Sequence, residues 1–178
     1  MKRKSKLAIA RVTAVLVFLG ATAVYPQEKY TLISPGGIAF SGFRGYEDWS
    51  LVSSARTDEV LKVIVANPIM IQAFKDGVPG NGKPFPDGSK IAKLQWKPKK
   101  STEAPFVVDV PDIFKQAFVM EKDSKRFSKD DGGWGYAVFN YDAAMDKFTA
   151  DSSPVNCGTT CHVAVKAKDY IFHPYQKR

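Results

Sequence analysis

Residues 87–96 read DGSKIAKLQW, and the alternation inside them decides the fold. After the turn pair Asp87-Gly88, the side chains of Ala92, Leu94 and Trp96 share one side of an extended chain. Ile91, Lys93 and Gln95 share the other, because successive residues of a strand point to opposite faces. Four more segments have the same character: KVIVA (62–66), PFVVDV (105–110), KQAFVME (115–121) and GYAVFNY (135–141). Each is rich in β-branched and aromatic residues and is bounded by Pro, Gly, Asp or Asn, the signature of strands. Between the first of these and residue 87 lies NPIMIQAFKDG (67–77), where Asn67 suits a helix N-cap, Pro68 its first turn and Gly77 its end. GVPGNGKPFPDGS (77–89) is a loop too rich in turn residues for a regular element. VAVKAKDYIF (163–172) predicts a helix stopped near Pro174. No internal repeat is visible. The pattern predicts an α+β domain: an antiparallel sheet with a few helices.

The N-terminus reads as an address. A basic run, MKRKSK (1–6), precedes LAIARVTAVLVFLGATA (7–23), which is mostly apolar and closes on Ala21, Thr22 and Ala23. This is the pattern of a secretory signal cut after Ala23, so residues 1–23 are expected to be removed and 24–178 to form the mature, periplasmic domain. The rival, an uncleaved anchor, is disfavoured because the apolar part from residue 12 to 23 is short for a bilayer and Arg11 interrupts it upstream. Losing the five basic residues of the signal lowers the formal charge from +8 to +3. So mild a surplus gives no reason to expect nucleic acid as a partner. What remains is enough chain for one hydrophobic core.

The chemistry is concentrated in NCGTTCHVAVKAKDY (156–170). A haem c attachment motif has two residues between its cysteines and a histidine directly after the second. Here Cys157 and Cys161 enclose three, Gly158, Thr159 and Thr160, before His162. Two thiols to reach the vinyl groups and an imidazole aimed at iron are what such a site needs. The extra residue is expected to bulge between the thiols, with Gly158 absorbing the unusual backbone. The competing reading is a Cys157–Cys161 disulfide, which would close a small loop and stabilise little. Zinc is disfavoured, since two cysteines and a distant His173 do not make a tetrahedral set.

Three segments together carry a wider likeness: CGTTCHVAVKAKDYIFHPYQKR (157–178), PFPDGSKIAKLQWKPKK (84–100), and EKDSKRF with GGWGYAVFNYD (121–142). From Phe40 to the C-terminus the chain resembles the cytochrome P-460 family, in which a sheet packs on a c-type haem. The resemblance implies His162 as proximal iron ligand and Cys157 and Cys161 as thioether donors. The opposite haem face is left open to a small nitrogen-containing molecule. Its best-known members oxidise hydroxylamine and pass electrons to an external acceptor. In them a strand lysine is bonded to the porphyrin edge, and the match of DGSKIAKLQW carries that lysine onto Lys93. Lys90 lies three residues away and so on the opposite face of the strand. The resemblance also implies a homodimer and a distal carboxylate, for which Asp151 is the candidate and Asp146 the competitor.

Every one of these residues has a plain reading beside the functional one. Lys93 reads equally as a solvated lysine on a half-exposed strand, and Asp151 as a turn aspartate. Met70, Met120 and Met145 fit gap-filling core positions. His173 is assigned to the tail, unable to reach the far side of a macrocycle held by His162. Of Phe74, Phe85, Trp96, Phe139, Tyr141, Tyr170 and Phe172, most are expected in the core and one or two against haem. An open-faced haem enzyme for hydroxylamine is the first expectation. A relative of cytochrome c′-β, binding or detoxifying nitric oxide without a lysine bond, is the second. A simple electron carrier would need a sixth ligand that the sequence does not offer, and a haem-free binding domain would need the longer spacer to defeat attachment.

Overall fold

Strand β3 (Lys90–Lys100) runs through the middle of a six-stranded antiparallel sheet in the computed structural model, which describes residues 28–152 and 157–176. The other strands are β1 (Ser50–Arg56), β2 (Leu61–Ala66), β4 (Asp109–Lys122), β5 (Trp134–Asp142) and β6 (Lys147–Ala150). They lie side by side in chain order, each antiparallel to the next. The α+β architecture is therefore the one the sequence predicts. The residues read as an export signal, 1–23, lie outside the described ones.

Connections explain the order. Helix α1 (Pro68–Lys75) fills the link from β2 to β3, with Pro68 at its start and Gly77, at φ +90°, just beyond its end. Asn67 caps it and does more. Its Oδ1 accepts from the N–H groups of Met70 and Lys90, and its Nδ2 donates to the Gly88 carbonyl, so one buried amide ties the helix to the start of β3.

Two segments differ from expectation. PFVVDV does not form its own strand. β4 begins only at Asp109 and runs unbroken through KQAFVME, while Phe106 and Val107 stay exposed in the β3–β4 connection. Their side chains suit a strand, but β3 ends opposite Asp109 and offers them no partner edge. Pro111 is accommodated where the β3–β4 register is irregular, opposite Pro98. The expected C-terminal helix is a 3-10 segment, His162–Lys168, kinked at Val165. It stops at Asp169 and Tyr170, both with left-handed φ of +47° and +65°, well before Pro174. β1 and β6 were not expected at all.

The two faces of the sheet bury different cores. One face packs Val65, Ala92, Leu94, Ala117, Val119, Ala137 and Phe139 beneath Ile38, Phe40, Phe43 and Tyr46 of the N-terminal segment. Phe40 stacks on Phe139 with centroids 4.3 Å apart. The other face gathers Ile64, Ile91, Met120, Trp134 and Tyr136 under α1 and the C-terminal segment. Met70 is fully buried here, whereas Met145 is exposed in the β5–β6 turn and is not core.

Candidate functional site

Register places the site. Across the second face, Ile64, Lys93, Phe118 and Val138 stand opposite one another on β2, β3, β4 and β5. The adjoining row on one side is Ile91, Met120 and Tyr136. On the other side it is Lys62, Gln95, Gln116 and Asn140. The first two rows floor a cavity of about 270 Å³ that is closed by Cys157, Cys161, His162, Ile171, Phe172 and His173 from the C-terminal segment.

The cysteines reach it by a route the sequence reading missed. Residues Cys157–Thr160 form a single helical turn, α2, and the Cys161 N–H donates to the Cys157 carbonyl at 3.0 Å. A spacer of three residues puts the second thiol one full turn after the first, on the same side, with no bulge. Gly158 is needed for space rather than for a left-handed backbone. A Cβ there would sit 2.1 Å from Asp131 Oδ1 and 2.8 Å from Tyr136 Cε2. Both cysteines are free thiols in this structure. Burial pushes the Cys157 thiol up, Cys161 adds to this and the Lys93 charge opposes it.

His162 is held by backbone. Its Nδ1 lies 2.6 Å from the Tyr170 carbonyl, which can only accept, so Nδ1 donates and Nε2 keeps its lone pair. The left-handed pair Asp169-Tyr170 turns that carbonyl toward the ring, a conformation that costs a bulky residue about 1–3 kcal/mol. The turn is anchored beneath. Asp169 accepts from Lys122 Nζ at 2.8 and 3.0 Å and from the Phe85 N–H at 2.7 Å, and the Tyr170 hydroxyl donates to the Asp130 carbonyl. Tyr136 and Phe172 flank the imidazole, with centroids 5.0 and 4.8 Å away. Burial draws the His162 pKa below the ordinary imidazole value, against the Tyr170 hydrogen bond, with the Lys93 charge adding to the depression.

Lys93 enters the cavity from the floor, its Nζ 4.1 Å from the Phe118 ring centroid. Burial first, and the charge of Lys62 second, hold it below the usual lysine range, with Cys157 opposing. Lys90 points to the other face, where its Nζ donates to the Gly42 carbonyl at 2.7 Å and lies 3.4 Å from Glu121. Asp151 follows β6 and accepts from Asn140 Nδ2 at 3.0 Å. It thus hangs from the row beside that of Lys93 and is not among the cavity's lining residues. Asp146 accepts from the Tyr141 hydroxyl in the β5–β6 turn, away from the cavity. His173, read as a tail residue, does line the cavity: Pro174 follows it, and the left-handed turn at Asp169-Tyr170 brings residues 171–173 back over the sheet.

Sequence reasoning did not single out Phe118, Met120 or Tyr136 as wall residues. Their signal was there in the period of two: Phe118 pairs with Lys93, Met120 with Ile91, and Tyr136 with Met120. The Lys122–Asp169 pair and the Tyr170 carbonyl left no such trace. Among the described residues, no three His, Cys, Asp or Glu side chains assemble as a metal site.

An accessible imidazole nitrogen, two thiols one helical turn apart and walls of Ile64, Ile91, Phe118, Met120 and Phe172 suit a flat, apolar, iron-bearing macrocycle. A six-stranded meander with such a cavity on one face defines a haem-binding cytochrome that is not one of the helical types. Residues 43–173 match the family described as cytochrome P460, and the chain belongs to that family. Among curated proteins, none matches it.

Proposed function

We propose that the protein is an exported mono-haem c-type cytochrome that oxidises hydroxylamine at an open haem face, with Lys93 joined to the edge of the macrocycle. The observation that carries this reading is the half-buried Lys93 amine, which shares one cavity with Cys157, Cys161 and His162. Its depressed pKa enriches the neutral, nucleophilic form of the amine.

In this reading Cys157 and Cys161 would hold the haem through thioethers, and His162 Nε2 would ligate its iron. The haem supplies an electron sink and one free coordination position for a small nitrogen compound. The protein does the rest. The Tyr170 carbonyl fixes the imidazole and raises its donor strength. Phe118 and Ile64 on the floor would limit bulk water at the reacting nitrogen. Asp151, held by Asn140 one row from Lys93, or water would take up the protons, and an external acceptor would take the electrons. Export to the periplasm and assembly as a homodimer belong to the same reading.

A second reading has one observation in its favour. The walls around Lys93 are largely apolar, which suits nitric oxide held without chemistry, as in cytochrome c′-β. The two separate on Lys93. The mature enzyme is expected to show a shifted, broadened haem spectrum and a single peptide mass containing haem, the cysteine segment and the Lys93 strand. Lys93→Ala should keep its haem, revert to an ordinary high-spin c-type spectrum and lose hydroxylamine oxidation while still binding nitric oxide. Lys90→Ala is the control. An ordinary spectrum in the wild type, with the haem and lysine peptides separate in mass, would establish the gas-binding reading instead. Release of all haem into acid–acetone would sink thioether attachment.

A further inference from the structure

The cavity carries more basic side chains than its apolar walls require. Lys93 and His173 both line it. Lys62 lies two residues along β2 from Ile64, which stands directly opposite Lys93, so Lys62 belongs to the same face one row away. The three groups feel one another: the charges of Lys93 and Lys62 both act on His173, and that of Lys62 acts on Lys93. No carboxylate acts on Lys93, His162 or His173 among the described residues. The nearest acid along the Lys62 row is Asp151, bonded to Asn140 on β5. Three strand spacings separate Asn140 from Lys62, about 14 Å at ~4.8 Å each, too far for Asp151 to act as a partner for Lys62.

Burial and the Lys62 charge hold Lys93 and His173 toward their neutral forms, and a negative guest in the half-closed apolar cavity would reverse that. Two strand-borne amines and an imidazole that can donate make a set of donors suited to a carboxylate or a small oxyanion. We propose that Lys62 and His173, with Lys93 before it reacts, form an anion-binding rim on the cavity. The chemistry is shared by two sources: a carboxylate on the edge of the bound haem, or a free oxyanion such as nitrite. The inference rests on haem occupying this cavity and does not depend on which nitrogen compound reacts there.

The test uses the haem-loaded protein as wild type, Lys62→Gln, His173→Gln, the double variant and Lys62→Arg, with Lys97→Gln as a control for loss of an exposed lysine. Two quantities are measured: the midpoint potential at low and high ionic strength, and the affinity of the ferric protein for nitrite. If haem carboxylates fill the rim, the double variant lowers the potential, more strongly at low ionic strength. Lys62→Arg then restores it, and nitrite affinity changes less than twofold. If a free oxyanion fills the rim, the nitrite dissociation constant rises at least tenfold in the double variant, and the potential without nitrite stays put. A double variant that matches Lys97→Gln in both measurements overturns the proposal. That result would leave the hydroxylamine reading standing, since lysine attachment and turnover are scored separately.

Discussion

The two faces of the sheet solve opposite problems with the same strands. On one, Phe40, Phe43, Phe139 and Ala117 are fully buried and aromatic rings stack on one another, so side chains fill the space themselves. On the other, the floor holds a lysine, the roof holds two thiols and two histidines, and about 270 Å³ is left between them. The first face is built for packing alone. The second is incomplete without a guest, and its order is supplied by fixed polar links: Lys122 to Asp169, Nδ1 of His162 to the Tyr170 carbonyl, Tyr170 to Asp130. A protein can thus keep a roomy site by assigning most of its stability to the side away from it.

That contrast can be broken from either face. The largest expected effect is at Phe40. Phe40→Ala removes a fully buried ring stacked on Phe139 and should cost about 4 kcal/mol in denaturant unfolding. The haem spectrum of the protein that remains folded should be unchanged. A spectral change at constant stability would show that the faces are not separable.

Asp169→Asn attacks the second face. Lys122 is buried and would lose its charged partner, a loss of about 3 kcal/mol. Because Asp169 also anchors the turn that presents the Tyr170 carbonyl, the haem spectrum should change as well. A double replacement, Lys122→Met with Asp169→Leu, should recover part of the stability without recovering the spectrum. Full recovery of both would mean that the turn holds itself.

Gly158→Ala tests the fit between roof and floor. The added methyl meets Asp131 and the Tyr136 ring, so a loss of about 2 kcal/mol is expected, together with reduced covalent retention of haem after acid–acetone extraction. The smallest effect is at Asp131, whose Oδ1 is buried without a hydrogen-bond partner among the described residues. Burial first and the neighbouring Asp130 charge second raise its pKa above 3.8. A raised carboxylate contributes its full stability below the unfolded value and loses it as pH rises through the folded one. Asp131→Asn should therefore match the wild type below pH 3.8 and gain slightly above it. Solvent screening keeps the difference under about 0.5 kcal/mol at neutral pH. A wild type more stable than the variant at pH 7 would reverse the sign of that argument.

What the sequence made legible follows from what is local. β2, β3, β5 and α1 could be read because each is bounded by turn residues and shows its own period, and Asn67, Pro68 and Gly77 mark the helix ends directly. β1 was hidden by its serines: SLVSSAR is an edge strand whose pairing with β2 orders it more than its own propensity does. β6 has only four residues. In the site, Cys157, Cys161, His162 and the facing of Lys93 were legible from spacing and alternation. The helical turn between the cysteines was not, because Gly158, Thr159 and Thr160 are poor helix formers held there by the packing of Gly158 on Asp131 and Tyr136. His173 was misjudged because two left-handed residues in succession reverse the chain, and nothing in Asp169-Tyr170 announces them.

The chain-order arrangement of the strands also sets a timetable. Every strand pairs only with its neighbours in sequence, and apart from the helix-bearing link between β2 and β3 the connections are short, so most of the sheet's pairings are local and favour fast formation. The C-terminal segment belongs to a later stage, since its ties reach from Asp169 back to Phe85 and Lys122, 84 and 47 residues away. The floor of the cavity is thus built from local pairings and its roof from long-range ones, so the two can be weakened independently.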